Sequence, residues 1–321
     1  MAVYKTYDAK GIREDLADII YNISPTDTPF ISNVGKGTTS GTYYEWQTDS
    51  LAAATDNKAV EGAAAATAGA DATARVGNYT QIATKTVSVS GSNEASDAAG
   101  RASEMAYQLA KKGLELKRDM EKTLVGTSKA QAAGDGSTAR ELGSITSWLR
   151  TNVLREGTGS TGTGGSTTVD SADWGVGKGV PNNGTADVFV EADLTNVVED
   201  IWEQGGNPSI IMCGAFQKSK ITAFTGNATK FKEVADKTIV NAVDVYVSDY
   251  GELTVVPNRL MATDKVFVIQ PDMWSVDYYR DFQTTDLAKV GDSEEKQMLV
   301  EYTLCSKNEK ASGMIMDLTT S

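Results

Sequence analysis

The chain has 321 residues, a formal net charge of −13 from 30 Lys and Arg against 43 Asp and Glu, 40% apolar residues and no histidine. That apolar share supports a real core and excludes a disordered chain, and the acidic balance, without a Lys/Arg cluster, argues against a phosphate-gripping surface. The missing histidine removes the commonest general base and metal ligand, and with it every Ser-His-Asp, Cys-His and His-based zinc arrangement.

The length permits one large domain or two modest ones, and no apolar run approaches the ~20 residues of a membrane helix. Residues Met1–Asp8 lack the basic-then-apolar layout of an export signal, so a cytoplasmic product is expected. Two cysteines, Cys213 and Cys305, sit inside apolar strand-like runs and read as small buried hydrophobes, not as a disulfide framework.

Residues 1–35 read as an arm. Ile12, Leu16, Ile19 and Ile20 share one helical face, Ser24–Pro29 stops the helix, and Phe30, Ile31 and Val34 follow as an apolar anchor. An ordinary N-terminal helix packed on its own domain is the alternative. Next come two β-prone runs, Tyr43–Thr48 and Tyr79–Ser90, which flank an Ala/Gly/Thr stretch almost devoid of large apolar residues. They are expected to pair as an extended ribbon. A two-stranded ribbon cannot bury a core alone, so it makes sense when another copy of the chain completes it; a Gly/Ala linker between domains is the bland alternative.

Residues 93–125 carry Ala98, Ala99, Ala102, Met105, Leu109, Leu116, Met120 and Leu124 at helical spacing, with Asp97/Arg101 and Glu115/Arg118 as surface pairs. Ser92 or Asn93 is the expected cap and Gly126 the expected end. At 1.5 Å per residue such a helix would span roughly 50 Å. Gly100 and Gly113 lie inside it as possible breaks. Leu142, Ile145, Trp148, Leu149 and Val153 form a compact apolar patch. Residues 156–186, rich in Gly, Ser and Thr, read as an insertion with almost no core residues. The match of Gly157–Gly162 to a dinucleotide fingerprint lacks the strand and helix that would give it meaning.

Residues 193–280 are the most globular stretch. Asp193 is read as the cap of a helix whose Leu194, Val197, Val198, Ile201 and Trp202 share a face and which Gly205-Gly206 ends. Pro208–Cys213 is a buried strand, and a short helix lies near Phe216–Phe224. Val243–Val247, Leu253–Val256 and Val266–Ile269 are further strands. The product is an α+β domain with a mixed sheet. Met298, Val300, Tyr302 and Leu304 alternate in a last strand, expected to continue into Met314–Leu318 and to pair back near the long helix.

This order, with Ser24–Phe30, Ile201–Pro208, Val255–Arg259, Thr285–Ser293 and Glu301–Leu304, resembles the major capsid proteins of tailed bacteriophages and their Hong Kong-type capsid fold. The resemblance covers most of the chain outside the insertion. It implies an N-terminal arm (1–36), an extended β-hairpin loop (37–90) and a peripheral domain with a long spine helix (91–145 and 281–321). The axial domain (146–280) would carry a mixed sheet and the 156–186 insertion. It further implies a structural subunit that assembles with itself into pentamers and hexamers of an icosahedral shell. That shell would enclose double-stranded DNA without sequence-specific binding, in the virion, after assembly in the bacterial cytoplasm.

A separate scaffolding protein, a portal and a decoration protein are the implied partners. No enzyme activity, catalytic residue, cofactor, metal or membrane contact is expected. A tail-tube or decoration subunit is the alternative reading. Some relatives cross-link neighbours through a Lys–Asn isopeptide bond assisted by Glu. Lys58, Asn308 and Glu309 are placed for it, but their surroundings depart from that motif, so the chemistry is not carried over.

Overall fold

The computed structural model describes residues 27–52, 54–62, 64, 69, 72–96, 102–155, 173–224, 245–289 and 291–320. In chain order they form α1 (Pro29–Asn33), β1 (Gly35–Thr38), β2 (Tyr43–Thr48), β3 (Ala74–Tyr79), β4 (Gln81–Ser90), α2 (Gly91–Glu94), α3 (Glu104–Glu121), α4 (Ile145–Trp148) and β5 (Val153–Arg155). Then follow α5 (Glu191–Glu203), β6 (Ile210–Cys213), α6 (Ala215–Ala223), β7 (Val245–Ser248), β8 (Gly251–Pro257), β9 (Val266–Ile269), β10 (Trp274–Asp286), β11 (Ser293–Ser306) and β12 (Gly313–Met316). The helix expected near Ile12–Ile20, the Gly157–Gly162 run and the Asp97/Arg101 pair lie outside the described residues.

A four-stranded sheet runs β1-β10-β11-β4. Its backbone is the antiparallel pair of β10 and β11, 13 and 14 residues long. Alternation in β11 puts Val300, Tyr302 and Leu304 on one face, all fully buried against Leu116, Met120 and Leu124 of the helical layer. β11 therefore packs on the long helix, as its pattern implied. β10 escaped the sequence reading because only its first residues, Trp274 to Asp277, are buried, while its far half, Phe282 apart, is polar and exposed.

Three expectations about the first half are corrected. The second β-prone run is not the ribbon's return strand: β2 pairs with β3, which apart from Tyr79 precedes that run, with Tyr43 opposite Tyr79 and Thr48 opposite Ala74. After Thr80 the chain crosses to β11, and β4 pairs there, from Tyr302 opposite Gln81 to Ser293 opposite Ser90. The long helix starts at Glu104 and not near residue 93, so its 18 residues span about 27 Å. Ser103 caps it, accepting from Ala106 N at 3.2 Å. The carboxylate of Glu94, at the end of α2, reaches across to accept from Ser103 Oγ (2.7 Å) and Met105 N (3.0 Å). An acid at the positive end of a helix satisfies donors that the helix cannot, and these bonds hold the Glu94 carboxyl below its usual range. Two helices meeting at a capped corner replace one continuous rod. The helix runs through Gly113, and Glu115 pairs with Lys112 at 2.7 Å. It closes with a π-turn over Lys122–Gly126, where a Cβ on Gly126 would lie 2.1 Å from the Leu260 carbonyl oxygen.

A six-stranded mixed sheet runs β5-β12-β9-β6-β8-β7, with every residue of β6, β9 and β12 buried. One face packs Leu194, Val197, Val198 and Ile201 of α5 and Ile221 of α6. Its other face, through Ile210, Met212, Phe267, Ile269, Met314 and Met316, joins Trp148, Leu142, Ile145, Leu149 and the inner face of the four-stranded sheet in one core. Burial raises both thiols, Cys213 and Cys305, to about 12.

Other departures are local. Asp193 is the third residue of α5 and not its cap; its carboxylate accepts from Val190 N at 2.7 Å. Trp202, one residue beyond the buried stripe, is 57% exposed and stacks on Tyr250 at 5.3 Å. The closing strand stops at Ser306. A 3₁₀ turn at Glu309–Ala311 then carries the chain into the other sheet, where β12 lies parallel to β5 and antiparallel to β9. Sheet membership thus cuts across the expected boundaries, since β4 and Trp274 belong with the four-stranded sheet and β12 with the six-stranded one. Inside the insertion Trp174 is a core residue: its Nε1 donates to Thr146 O at 2.8 Å and the Arg155 guanidinium sits 5.1 Å over its ring.

Candidate assembly surface

The hairpin of β2 and β3 leaves the body at a root built from aromatic and polar contacts. Trp46 stacks on Trp148 with centroids 5.2 Å apart, and Tyr43 on Tyr79 at 4.5 Å. Gly77 makes this pairing possible, because a Cβ there would lie 2.8–2.9 Å from Glu45, the Tyr44 carbonyl and the Tyr43 ring. Asn78, fully buried, donates to Leu304 O (2.8 Å) and accepts from Gly143 N (2.8 Å), joining the hairpin to β11 and to the segment before α4. Thr303 Oγ1 donates to Tyr79 O at 3.0 Å, and Gln131 Nε2 to Gly77 O at 2.9 Å.

Where the chain turns from β3 into β4, a buried carboxylate organises the corner. Glu301 Oε1 accepts from Thr80 Oγ1 (2.6 Å) and Arg140 Nη2, and Glu301 Oε2 from Arg280 Nε (2.8 Å). Arg140 Nε also donates to Thr80 O at 2.6 Å. The Glu301 side chain is 2% exposed, and two guanidiniums and a hydroxyl meet it there, the partners a buried carboxylate needs. A charge inside the apolar run Leu299–Cys305 is a visible sequence signal; its partners, far away in the chain, are not.

Among the described residues, none covers the hairpin beyond its root. Every described residue from Asp49 to Arg75 is exposed, including Leu51 (99%) and Val60 (80%). The residues placed for a cross-link are separated: Lys58 pairs with Asp56 at 2.7 Å in the tip, while Asn308 Oδ1 accepts from Lys310 N. Glu309 accepts from Arg150 N and Thr151 N, each at 3.2 Å.

A second carboxylate clamps the arm. Glu121, at the end of α3 and fully buried, accepts from Phe30 N (2.7 Å), Ile31 N (3.0 Å) and Asn258 Nδ2 (2.6 Å). Desolvation raises its carboxyl above the usual range, against the pull of those three donors. With Phe30, Ile31 and Val34 buried, the apolar anchor behaves as its sequence implied. The six-stranded sheet ends on β7, which exposes Val245 (48%) and Val247 (60%) near the Trp202–Tyr250 pair. Among the described residues no cluster of three or more Cys, Asp or Glu side chains is placed to hold a metal ion, and no helix is long and apolar enough to cross a membrane.

Comparison with known proteins supplies the context. A family model described as the SU10 major capsid protein matches residues 3–319. The major capsid protein of Escherichia phage Phieco32 is 28% identical over 342 aligned residues, covering 98% of this chain and 96% of that one. The capsid asymmetric unit of cyanophage A-1(L) superposes with a TM-score of 0.69 at 11% identity over 98% of both chains. The capsid of a native GTA particle does so with a TM-score of 0.65 at 10% identity, again over 98% of both. At such identities these structures speak for the fold alone.

Proposed function

The chain belongs to the SU10 major capsid protein family, and from that premise we propose how its geometry builds a shell. The subunit is a major capsid protein of a phage, a structural component of the virion capsid with the Hong Kong-type fold. We infer that identical copies close into pentamers and hexamers of an icosahedral shell around double-stranded DNA, by heterologous head-to-tail contacts.

The β2–β3 hairpin is assigned as the extended loop that lies on a neighbouring subunit. The four-stranded sheet with α3 is the peripheral domain, and the six-stranded sheet with α5 and α6 is the axial domain. Trp202, Tyr250, Val245 and Val247 would face sister subunits around the symmetry axes. Each contact can be weak because many act together. The net charge of −13 suits a container that leaves its DNA unbound. The role is structural, with no reaction assigned to any residue. A separate scaffolding protein, a portal and a decoration protein are proposed partners, and assembly takes place in the host cytoplasm. One fold neighbour is a satellite phage P4 procapsid that includes a size determination protein, so subunits of this fold do assemble beside accessory proteins.

The observation that carries this reading is the hairpin, anchored at a root of aromatic and hydrogen-bonded contacts and exposed at every described residue from Asp49 to Arg75. Electron microscopy of the chain expressed with and without its scaffolding partner is the test. Closed shells support it; open tubes or persistent monomers under both conditions overturn it.

A further inference from the structure

Asn183-Gly184 is the one Asn-Gly pair in the chain. It lies in a seam between the segment leading into α5 and the end of β12. There Asp187 N donates to Asp317 O at 3.0 Å, and Thr319 N to Asp187 O at 2.8 Å. Within the same seam Gly184 N donates to the side chain of Asp317, at 2.8 Å from Oδ1. A Cβ on Gly184 would lie 3.0 Å from Asp317 Oδ2, so the absence of a side chain lets this amide approach the carboxylate.

Asp317 is held in an uncommon conformation. Among the described residues it is the one non-glycine with positive φ, at 61°. An L residue keeps such a backbone only where its surroundings impose it, and such positions gather at functional sites. Here the outcome is a carboxylate in a residue 3% exposed, aimed at a single backbone N–H. Its Oδ2 is buried and makes no hydrogen bond among the described residues. Desolvation raises the carboxyl above its usual range, against the pull of the Gly184 N–H, Arg155 and Lys265. A carboxylate that holds a proton more tightly is a stronger base, and 2.8 Å is within the reach a general base needs.

The electrophile is next in line. Asn183 is exposed, and its side chain makes no hydrogen bond among the described residues, so its amide carbon is free to turn toward the Gly184 nitrogen. The two reacting atoms belong to adjacent residues, which makes their encounter intramolecular.

We propose that Asn183 is a self-modification site, converted to aspartate or isoaspartate with Asp317 as the general base. Asp317 takes the Gly184 amide proton, and the nitrogen attacks Asn183 Cγ. The new N–Cγ bond closes a cyclic imide. Asp317 returns the proton to the side-chain nitrogen, which leaves as ammonia when its bond to Cγ breaks. Water then opens the imide at either carbonyl. Water is the sole co-reactant. In the imide the Gly184 nitrogen carries no hydrogen, so its bond to Asp317 is lost. The opened product adds a carboxylate near Asp187 and Asp317, where like charge opposes the old contact. Each conversion therefore loosens the seam that ties residues 184–187 to β12. None of this rests on the shell reading above.

The test follows Asn183 in the full chain, incubated folded and incubated unfolded in urea, both at neutral pH and physiological temperature. Digestion under mildly acidic conditions and peptide mass spectrometry then read the exchange of amide for acid at that residue. Conversion in the folded chain is expected to run at least about tenfold faster than in the unfolded chain. A carboxylate that merely pins the seam would make it slower. Asp317→Asn keeps an acceptor for Gly184 N but removes the base, and should bring the folded rate down to the unfolded rate or below. A folded rate equal to or below the unfolded one overturns the proposal, and that comparison needs no variant to fold. An Asp317→Asn chain that folds and converts as fast as the parent overturns it as well.

Discussion

Replacing Glu301 with alanine removes the one anion that holds the β3–β4 corner. The loss can be worked from its partners. Thr80, fully buried, would lose its 2.6 Å bond to Glu301 and keep only the 3.3 Å bond from its hydroxyl to Thr42 O, at a cost of about 1 kcal/mol. Arg140, with its side chain 23% exposed, and Arg280, 40% exposed, would face each other without a counter-ion. Removing one side of a buried ion pair costs about 3–5 kcal/mol, but Arg280 can turn toward water, so about 3 kcal/mol is expected in total. Urea unfolding of the free subunit, followed by tryptophan fluorescence, should show a lower midpoint with an unchanged slope. Amide exchange should quicken over Gly77–Thr80 before it does in β9. Glu301→Gln keeps an acceptor for Thr80 and should lose clearly less. A midpoint for Glu301→Ala within about 0.5 kcal/mol of the parent would refute the claim that this carboxylate organises the root.

Glu121→Ala leaves Phe30 N, Ile31 N and Asn258 Nδ2 without their common acceptor; a loss of about 3 kcal/mol is expected, and proteolysis should cut the arm ahead of Pro29 faster than in the parent. Because burial raises the Glu121 carboxyl, the folded chain binds that proton more tightly than the unfolded one. Its contribution is fully present below the ordinary carboxyl value of about 4.3 and is lost as pH rises through the folded value. The stability gap between the parent and Glu121→Gln should therefore shift in the parent's favour on acidification, and a flat gap contradicts the assignment. Gly126→Ala puts a methyl against the Leu260 carbonyl and should cost about 2–3 kcal/mol in the same urea assay. Cys213 and Cys305, buried with thiols pushed to about 12, should resist a thiol-specific disulfide reagent at neutral pH until the chain is unfolded. Replacing residues 49–73 with an Asn-Gly turn should leave the urea midpoint of the body unchanged and abolish closed shells.

The elements that could be read from sequence were those whose burial is one-sided or complete. β6 and β9 are continuous apolar runs, β11 alternates, and α5 places Leu194, Val197, Val198 and Ile201 on one stripe. The Phe30–Val34 anchor was visible for the same reason. Where the fold depends on distant partners, periodicity had nothing to report. The corner between α2 and α3 is held by Glu94 reaching Ser103, amid residues that would extend a helix equally well. β3 contains Gly77 and Asn78, poor strand formers, and is a strand because that glycine lets Tyr43 close over it. The far half of β10 is polar but for Phe282, which packs at the edge of the core. Trp174 hides in a glycine-rich segment, and Trp202 follows the buried stripe of α5 by one position yet points away from it. Of the hairpin root, Trp148 falls in an apolar patch legible in the sequence, whereas Asn78, Thr80 and Arg140 carry no local signal.

Electron cryomicroscopy of particles assembled from the full chain, at a resolution that traces residues 49–73, asks the central question most directly. The account predicts that each hairpin tip rests on a different copy, with Leu51 and Val60 shielded from water by it. Tips folded onto their own subunit, or standing free in solvent in closed particles, would contradict it.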